Sequence, residues 1–476
     1  MSTGDSTTPF ILQSRFADAF PELAAPWHGE EAPEPSLVIL NEPLARLLGM
    51  DPEWLRNPEG MLFLLGLNEQ PVSRIVAQGY AGHQFGQFVP SLGDGRAILL
   101  GEAESTDGVL RDVHLKGSGR TPFSRGADGR GALGPILREY IISESLHALG
   151  VPTTRSLAVL TTGRRIQRGS VVPGAVLVRV ATSHIRIGSF QYANIAGGID
   201  LSARLADHAI ERHFPDLAVG GPAQQLYTGM FDAVLSRLAG LAAKWMRLGF
   251  VHGVLNTDNT LISGETIDYG PCAFMERYRE DAVYSSIDNQ GRYAYGNQPS
   301  ILGWNLARLA ETIFPLFGDT PDEGLTRARE LMASFGQRYR DAWYAEMATS
   351  LGIGAGEHEI IDEFHQLLIA HSPDLTTLNR ALTEGGRLPA GFEDWRARWD
   401  RLSPDRVAMA GINPIYIPRN HLVEEALTDA VAGDLERFHV LLDAVTSPFE
   451  RRAGLERLEA PSPDGFEENY MTFCGT

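Results

Sequence analysis

The stretch Phe250-Val251-His252-Gly253-Val254-Leu255-Asn256-Thr257-Asp258-Asn259, followed by Ile267-Asp268-Tyr269-Gly270-Pro271, constrains this chain more than any other feature. It comes directly after a long helical pattern. Between Thr228 and Leu248, the residues Met230, Phe231, Val234, Leu235, Leu238, Leu241, Trp245 and Met246 recur at helical spacing, and Gly249 supplies the stop. The chain therefore leaves an apolar helix and turns at once through a run of polar groups. Among these, Asn259 and Asp268 offer an amide oxygen and a carboxylate, the hard donors that Mg2+ prefers. Asp and Asn are also common turn formers, so a structural turn at Asp258-Asn259-Thr260 is the plainer reading of the same residues.

The spacing resembles the catalytic and metal-binding loops of protein kinases. In the pattern H-R-D-x-x-x-x-N the Asn lies seven residues after the His and holds a magnesium ion, while the Asp two after the His acts as base. His252 and Asn259 keep that separation, and Asp268-Tyr269-Gly270 stands in for D-F-G, but position 254 is Val. Two readings follow. The chain is a nucleotide-binding scaffold without catalysis, or it is an enzyme that poses the nucleotide differently and uses another base. Asp258, next to Asn259, is the replacement carboxylate at hand, and His252 is expected to brace the loop.

Upstream parts stand in the order such a site needs. Strands are expected at 97–102, 110–116, 157–160 and 175–180, among glycine-rich turns. One helix is expected between Pro135 and Gly150, with Ile136, Leu137, Tyr140, Ile141 and Leu146 as its apolar stripe. Gly93-Asp94-Gly95-Arg96 can form a tight turn whose N–H groups approach phosphates, although most such turns are ordinary hairpins. Lys116 ends the second strand, where a phosphate-pairing lysine is expected, and Glu139 in the helix is placed to pair with it. Arg179 and Arg186 flank the end of an apolar strand and need anionic partners, either a ligand or protein carboxylates. The loop from Lys116 to Gly131, rich in glycine and arginine, reads as a second phosphate cradle. From about residue 190 the pattern is helical, including 424–432 and 435–445. The expected class is α+β: a protein-kinase-like bilobal fold with a β-rich small lobe at 1–188 and a large helical lobe with extensions at 189–476.

Composition narrows the partners. A net charge of -19, from 41 basic and 60 acidic residues, repels nucleic-acid backbones, so nucleic acid is not expected as a partner. No apolar run approaches the roughly 18–20 residues that span a bilayer, so no membrane partner is expected. The start of the chain lacks the features of a secretory or mitochondrial leader, and with only two cysteines, Cys272 and Cys474, a cytoplasmic protein is expected.

Longer motifs carry a family resemblance. They are Tyr80-Ala81-Gly82-His83-Gln84-Phe85-Gly86, Leu92-Gly93-Asp94-Gly95-Arg96-Ala97, Leu115-Lys116-Gly117-Ser118-Gly119-Arg120-Thr121-Pro122, Asn256-Thr257-Asp258-Asn259, Ile267-Asp268-Tyr269-Gly270-Pro271, Asn413-Pro414-Ile415-Tyr416-Ile417-Pro418-Arg419-Asn420-His421 and the tail from Tyr470 to Thr476. With these the chain resembles the selenoprotein O pseudokinases over nearly its whole length. The resemblance implies a kinase-like fold and a protein adenylyltransferase that binds ATP flipped relative to a kinase. It would transfer AMP to Ser, Thr or Tyr hydroxyls of proteins, itself included, and release pyrophosphate with Mg2+, or Mn2+ in its place. By the same resemblance Gly93, Gly95, Arg96, Lys116, Asp128, Gly129, Arg179, Arg186 and Asp268 match nucleotide-binding positions. Asp258 matches the proposed base, and Asn259 and Asp268 match the metal ligands. Cys474 stands where eukaryotic members carry selenocysteine. A disulfide between Cys272 and Cys474 would pin the tail over the site as a redox switch; two reduced thiols are the alternative.

Overall fold

A computed structural model describes residues 10–68, 73–218 and 222–473. The chain is a mixed α+β protein that divides into two compact units. The first comprises Met1–Tyr140, Thr154–Gly221 and Gly475–Thr476, and the second Ile141–Thr153 and Pro222–Cys474. No helix among the described residues is long and apolar enough to cross a membrane.

The first unit is built on an antiparallel sheet. Its strands are β1 (Ala24–Pro26), β2 (Ser36–Leu40), β3 (Val76–Gln78), β6 (Ala97–Glu104), β7 (Leu110–Lys116), β8 (Gly131–Ala132), β9 (Arg155–Arg168) and β10 (Ser170–Ala181). The order is β1-β3-β6-β7-β10-β9-β2, with β8 paired to β10, while β4 (Gly82–Gln84) and β5 (Gln87–Val89) form a separate hairpin. All four expected strands are present. β9 and β10 extend well past their expected spans as one hairpin turned at Gly169, whose φ is +72°.

Period-two alternation along β7 sorts its side chains. Val113 and Leu115 join a buried apolar cluster with Ile98, Leu100, Val176 and Val178, and Leu44 and Phe63 pack into it from the N-terminal segments. Each such side chain contributes about 1.5–3 kcal/mol on burial. The alternate residues Asp112, His114 and Lys116 are equally buried but polar, so the opposite face carries a row of groups that need partners. The helix Leu133–Ala148 holds Pro135 in its first turn, as expected. Beyond its end Gly150 takes φ +73° and donates its N–H to the His147 carbonyl.

The second unit is helical. The helix Ala223–Leu248 begins five residues before the expected Thr228 and ends at Gly249, whose left-handed backbone lets its N–H donate to the Trp245 carbonyl. Immediately after it, β11 (Phe250–Val251) pairs antiparallel with β12 (Ala273–Phe274), Phe250 opposite Phe274. This pairing closes the segment 252–272 into one excursion and so lays the His252–Asn259 loop beside the Asp268 loop. The helices expected at 424–432 and 435–445 occur as Asn420–Ala432 and Glu436–Thr446. A core containing the stacked Trp395 and Trp399 rings, 5.6 Å apart, fills the unit.

One buried cation ties this unit together. Arg419 Nη1 donates to Glu276 Oε2 at 3.0 Å and to Asp374 Oδ2 at 2.9 Å, and Nη2 donates to the Glu459 carbonyl at 3.1 Å. Arg419→Ala strands two carboxylates, Glu276 fully buried among them. Urea titration of this variant is expected to show a loss of about 3–5 kcal/mol in unfolding free energy, whereas an exposed pair such as Arg457–Glu425 would cost under about 1 kcal/mol.

Candidate active site

In the first unit the expected residues converge around the polar end of the sheet. The 94–95 turn is shaped by close packing. Gly93 has φ +64°, and a Cβ built there would lie 2.3 Å from the Phe123 ring, so no larger residue fits. Phe123 belongs to the 117–131 loop. That loop is fastened onto the turn by Thr121 Oγ1, which donates to the Asp94 carbonyl at 2.5 Å, and by Ser124 Oγ, which donates to the Gly95 carbonyl. The two glycine-rich segments are thus one composite structure. Gly129 closes the loop: its carbonyl accepts from the Gly119 N–H at 3.1 Å, and a Cβ would stand 2.1 Å from the Gly119 oxygen.

Lys116 and Glu139 form a buried ion pair, as the sequence led us to expect. Arg96, Lys116, Gly117 and Glu139 line a recess beside the sheet. The Arg96 carbonyl accepts from the Gly117 N–H at 2.7 Å, which sets the start of the loop against the strand after the turn. Asp128 is held by a forked pair from Arg168, at 2.6 and 3.0 Å, and accepts from the Arg130 N–H at 3.1 Å. The Arg168 hydrogen bonds hold its carboxyl below the usual range. Arg130 in turn forks onto Glu30 at 2.8 and 2.6 Å.

Arg179 and Arg186 are both buried, at 4% and 1% exposure. Arg179 Nε donates to His114 Nδ1 at 3.2 Å, and His114 Nε2 lies 3.0 Å from Asp94 Oδ2. Arg186 Nη1 donates to the His184 carbonyl at 3.2 Å, its guanidinium lies 4.2 Å over the Tyr80 ring, and Asp94 Oδ1 is 3.9 Å away. Deeper in the unit, His184 stacks on His114 and contacts Asp112 through Nδ1 at 3.0 Å, and Arg212 donates to Asp112 at 2.6 Å. Burial, together with the neighbouring Asp112 charge, pushes the Glu102 carboxyl up to about 7.

In the second unit His252 is a brace. Its Nε2 lies 2.8 Å from the Ile267 carbonyl, which can only accept, so Nε2 carries the proton and the ring links the two loops. The Gln298 side chain accepts from the His252 N–H at 2.8 Å, and Asn305 donates to the Leu255 carbonyl at 3.0 Å and to Thr260 Oγ1 at 2.9 Å. Tyr293 donates to Asn256 Oδ1 at 2.5 Å. Asp258 and Asn259 lie in a single 3-10 turn, Thr257–Asn259, with Asp258 buried. Asn259 Nδ2 donates to the Val254 carbonyl at 3.0 Å, so of its two side-chain polar atoms Oδ1 is the one that could coordinate a metal. Asp268 adopts φ +63°, a left-handed backbone uncommon outside glycine and costing roughly 1–3 kcal/mol. Two oxygen donors suit Mg2+, which keeps several waters and draws further ligands from substrate phosphates. Among the described residues no cluster of three His, Cys, Asp or Glu forms a self-sufficient metal cage.

Sequence reasoning did not find Glu30, Asp94, His114, Arg168, Gln298 or Asn305. Cys474 lies outside the described residues. Cys272 is fully buried, with Sγ 3.1 Å from the Tyr269 carbonyl, and the tail is fastened nearby by Thr472 Oγ1 donating to the Pro271 carbonyl at 2.7 Å.

The family model described as "Protein adenylyltransferase SelO" matches residues 12–385. The chain belongs to this family. A relative named "Protein nucleotidyltransferase YdiU" from Corynebacterium efficiens is 64% identical, covering 100% of this chain and 98% of its own length. Relatives of the same name from Corynebacterium glutamicum strain ATCC 13032 and Mycobacterium sp. strain KMS are 63% and 54% identical. They cover 99% and 98% of this chain and all of their own length. The chain is therefore an enzyme of the nucleotidyltransferase class.

The buried histidines give this half-site an acid liability. Burial holds His184 at about 3, far below the ordinary 6.5, with the neighbouring His114 ring and Arg179 adding to the effect and Asp112 opposing it. Between those values the unfolded chain binds a proton that the native state refuses, so stability falls as pH falls from 6.5 toward 3. The slope owed to this group approaches about 1.4 kcal/mol per pH unit. Unfolding free energies measured from pH 7 to pH 5 are expected to fall less steeply in His184→Gln than in the parent.

Proposed function

We propose that this nucleotidyltransferase moves AMP from ATP to Ser, Thr or Tyr hydroxyls of proteins, copies of itself included, with ATP flipped relative to a kinase. The observation that carries the reading is a mismatch at one position. The loop keeps His252, Asn259 and Asp268, and the sheet keeps Lys116 paired with Glu139, yet position 254 is the apolar Val and the buried carboxylate is Asp258. A kinase base is missing while the nucleotide machinery is intact. A kinase-like bilobal arrangement, with the small lobe ending near residue 188, belongs to the same proposal.

The roles follow from the chemistry. Arg96, Lys116, Arg179, Arg186 and the N–H groups at Gly93, Gly95 and Gly129 neutralise and orient a triphosphate, and Asp128 fixes the loop through Arg168. Asn259 and Asp268 would hold Mg2+ (or Mn2+), which offsets phosphate charge when bound. Asp258 takes the proton of the target hydroxyl, and that oxygen attacks the α-phosphorus. The bond from the α-phosphorus to the bridging oxygen breaks, and pyrophosphate leaves. A catalytically dead scaffold is the alternative reading. It gives no reason to keep a buried Lys116–Glu139 pair together with a strained Asp268.

The test uses purified protein, Mg2+, an acceptor protein, and ATP labelled at the α- or the γ-phosphate. Label is expected in protein from the α position only, falling by about 10²–10⁴-fold in Asp258→Ala and Asp268→Ala. Label from γ alone would make the enzyme a kinase. ATP binding with no transfer from either position favours the scaffold.

A further inference from the structure

We propose that Asp94 and His114 are a buried positioning pair that sets the directions of Arg179 and Arg186 toward the phosphates of a nucleoside triphosphate. The inference deepens the reading above and rests on its assignment of those two arginines to phosphate.

Donor and acceptor chemistry fixes where the protons sit. Arginine carries only donors, so the 3.2 Å bond from Arg179 Nε requires His114 Nδ1 to be an unprotonated acceptor. The proton of the neutral ring must then sit on Nε2, where it is donated to Asp94 Oδ2 at 3.0 Å. Asp94 Oδ2 also accepts the Gln78 N–H at 3.0 Å. Its other oxygen, Oδ1, accepts no hydrogen bond among the described residues and faces Arg186 Nη1 at 3.9 Å. The chain Arg179–His114–Asp94–Arg186 therefore has one consistent proton arrangement. A doubly protonated His114 would set an N–H against a guanidinium.

Burial agrees with that arrangement. Both His114 and Asp94 have fully buried side chains. Burial acts most strongly on each group: it drives His114 toward the neutral form, while for Asp94 it is outweighed by His114 and Arg186, which keep the carboxyl ionised. The backbone fixes the pair as firmly. His114 stands opposite both Arg179 on β10 and Leu99 on β6, two residues before Lys116 on the same face of β7. Asp94 is the central residue of the Gly93–Gly95 turn, and its carbonyl is clamped by Thr121. One residue thus links the glycine turn, the loop through its main-chain carbonyl, Arg186 through its carboxylate and Arg179 through His114. Asp94 and His114 act through the arginines.

Calorimetric titration with ATP and with adenosine, which has no phosphates, separates positioning from general damage. His114→Phe keeps the ring volume and removes both bonds. It is expected to weaken ATP by about tenfold or more, the scale of one lost charge-assisted hydrogen bond, with adenosine affinity unchanged. His114→Asn, whose amide oxygen can accept from Arg179, is expected to recover part of that loss. In turnover assays the defect is expected mainly in KM for ATP. Asp94→Asn serves as the second variant should His114→Phe fail to fold. If Arg179→Ala weakens ATP and both pair variants bind it like the parent, the positioning role is wrong and the phosphate reading stands. If adenosine weakens in parallel with ATP, the pair is only structural and the inference falls. ATP affinity untouched by Arg179→Ala overturns the phosphate reading and this inference with it.

Discussion

Three consecutive inward positions of β7, Asp112, His114 and Lys116, put charge and polarity inside a sheet, and the first unit depends on satisfying them. An ionised group buried without a partner costs several kcal/mol, which is a large share of a domain's net stability. Each position is answered from a different element: Asp112 by Arg212 and His184, His114 by Asp94 and Arg179, Lys116 by Glu139. Satisfying them also enforces register. A one-residue slip of β7 against β10 would turn Asp112 and Lys116 into the apolar cluster and set Val113 and Leu115 among the buried polar partners instead. Polarity inside the sheet therefore also specifies the fold.

What could be read from the sequence divides along physical lines. The apolar period along Met230–Trp245 and the glycine after it gave the helix that delivers the loop, and it was in error by only five residues at the start. Alternation gave β6 and β7, and order along the chain gave the Lys116–Glu139 pair. The misses share a cause. Glu30 meets Arg130 across one hundred residues, Asp94 meets His114 across twenty, and Gln298 reaches His252 across forty-six, with no local period marking any of them. A lone Asp inside a glycine turn reads as a turn former, and a lone His on a strand reads as core. Only the strand pairing that sets His114 opposite Arg179 shows that they act together. Arg179 and Arg186 illustrate the same limit. Their need for partners was legible, but not that Arg179 Nε would donate to a histidine, His114.

The second unit solves a different problem, holding a strained carboxylate with mostly neutral braces. Asp268 is kept in a left-handed conformation because both neighbours are committed. The Ile267 carbonyl accepts from His252, and the Tyr269 hydroxyl donates to the Thr266 carbonyl at 2.6 Å. Thr266 is anchored through its N–H to the Pro152 carbonyl and by Trp245 Nε1 to its hydroxyl, so the strain is borne by the helix Ala223–Leu248 and its packing. Amide and hydroxyl braces suit this place. Gln298, Asn305 and Tyr293 fix the geometry of the 252–260 loop through neutral hydrogen bonds. Both units thus bury charge in pairs: in the sheet unit Arg212 meets Asp112 and Lys116 meets Glu139, and in the helical unit Arg419 meets Glu276 and Asp374 while neutral amides and hydroxyls brace the 252–260 loop.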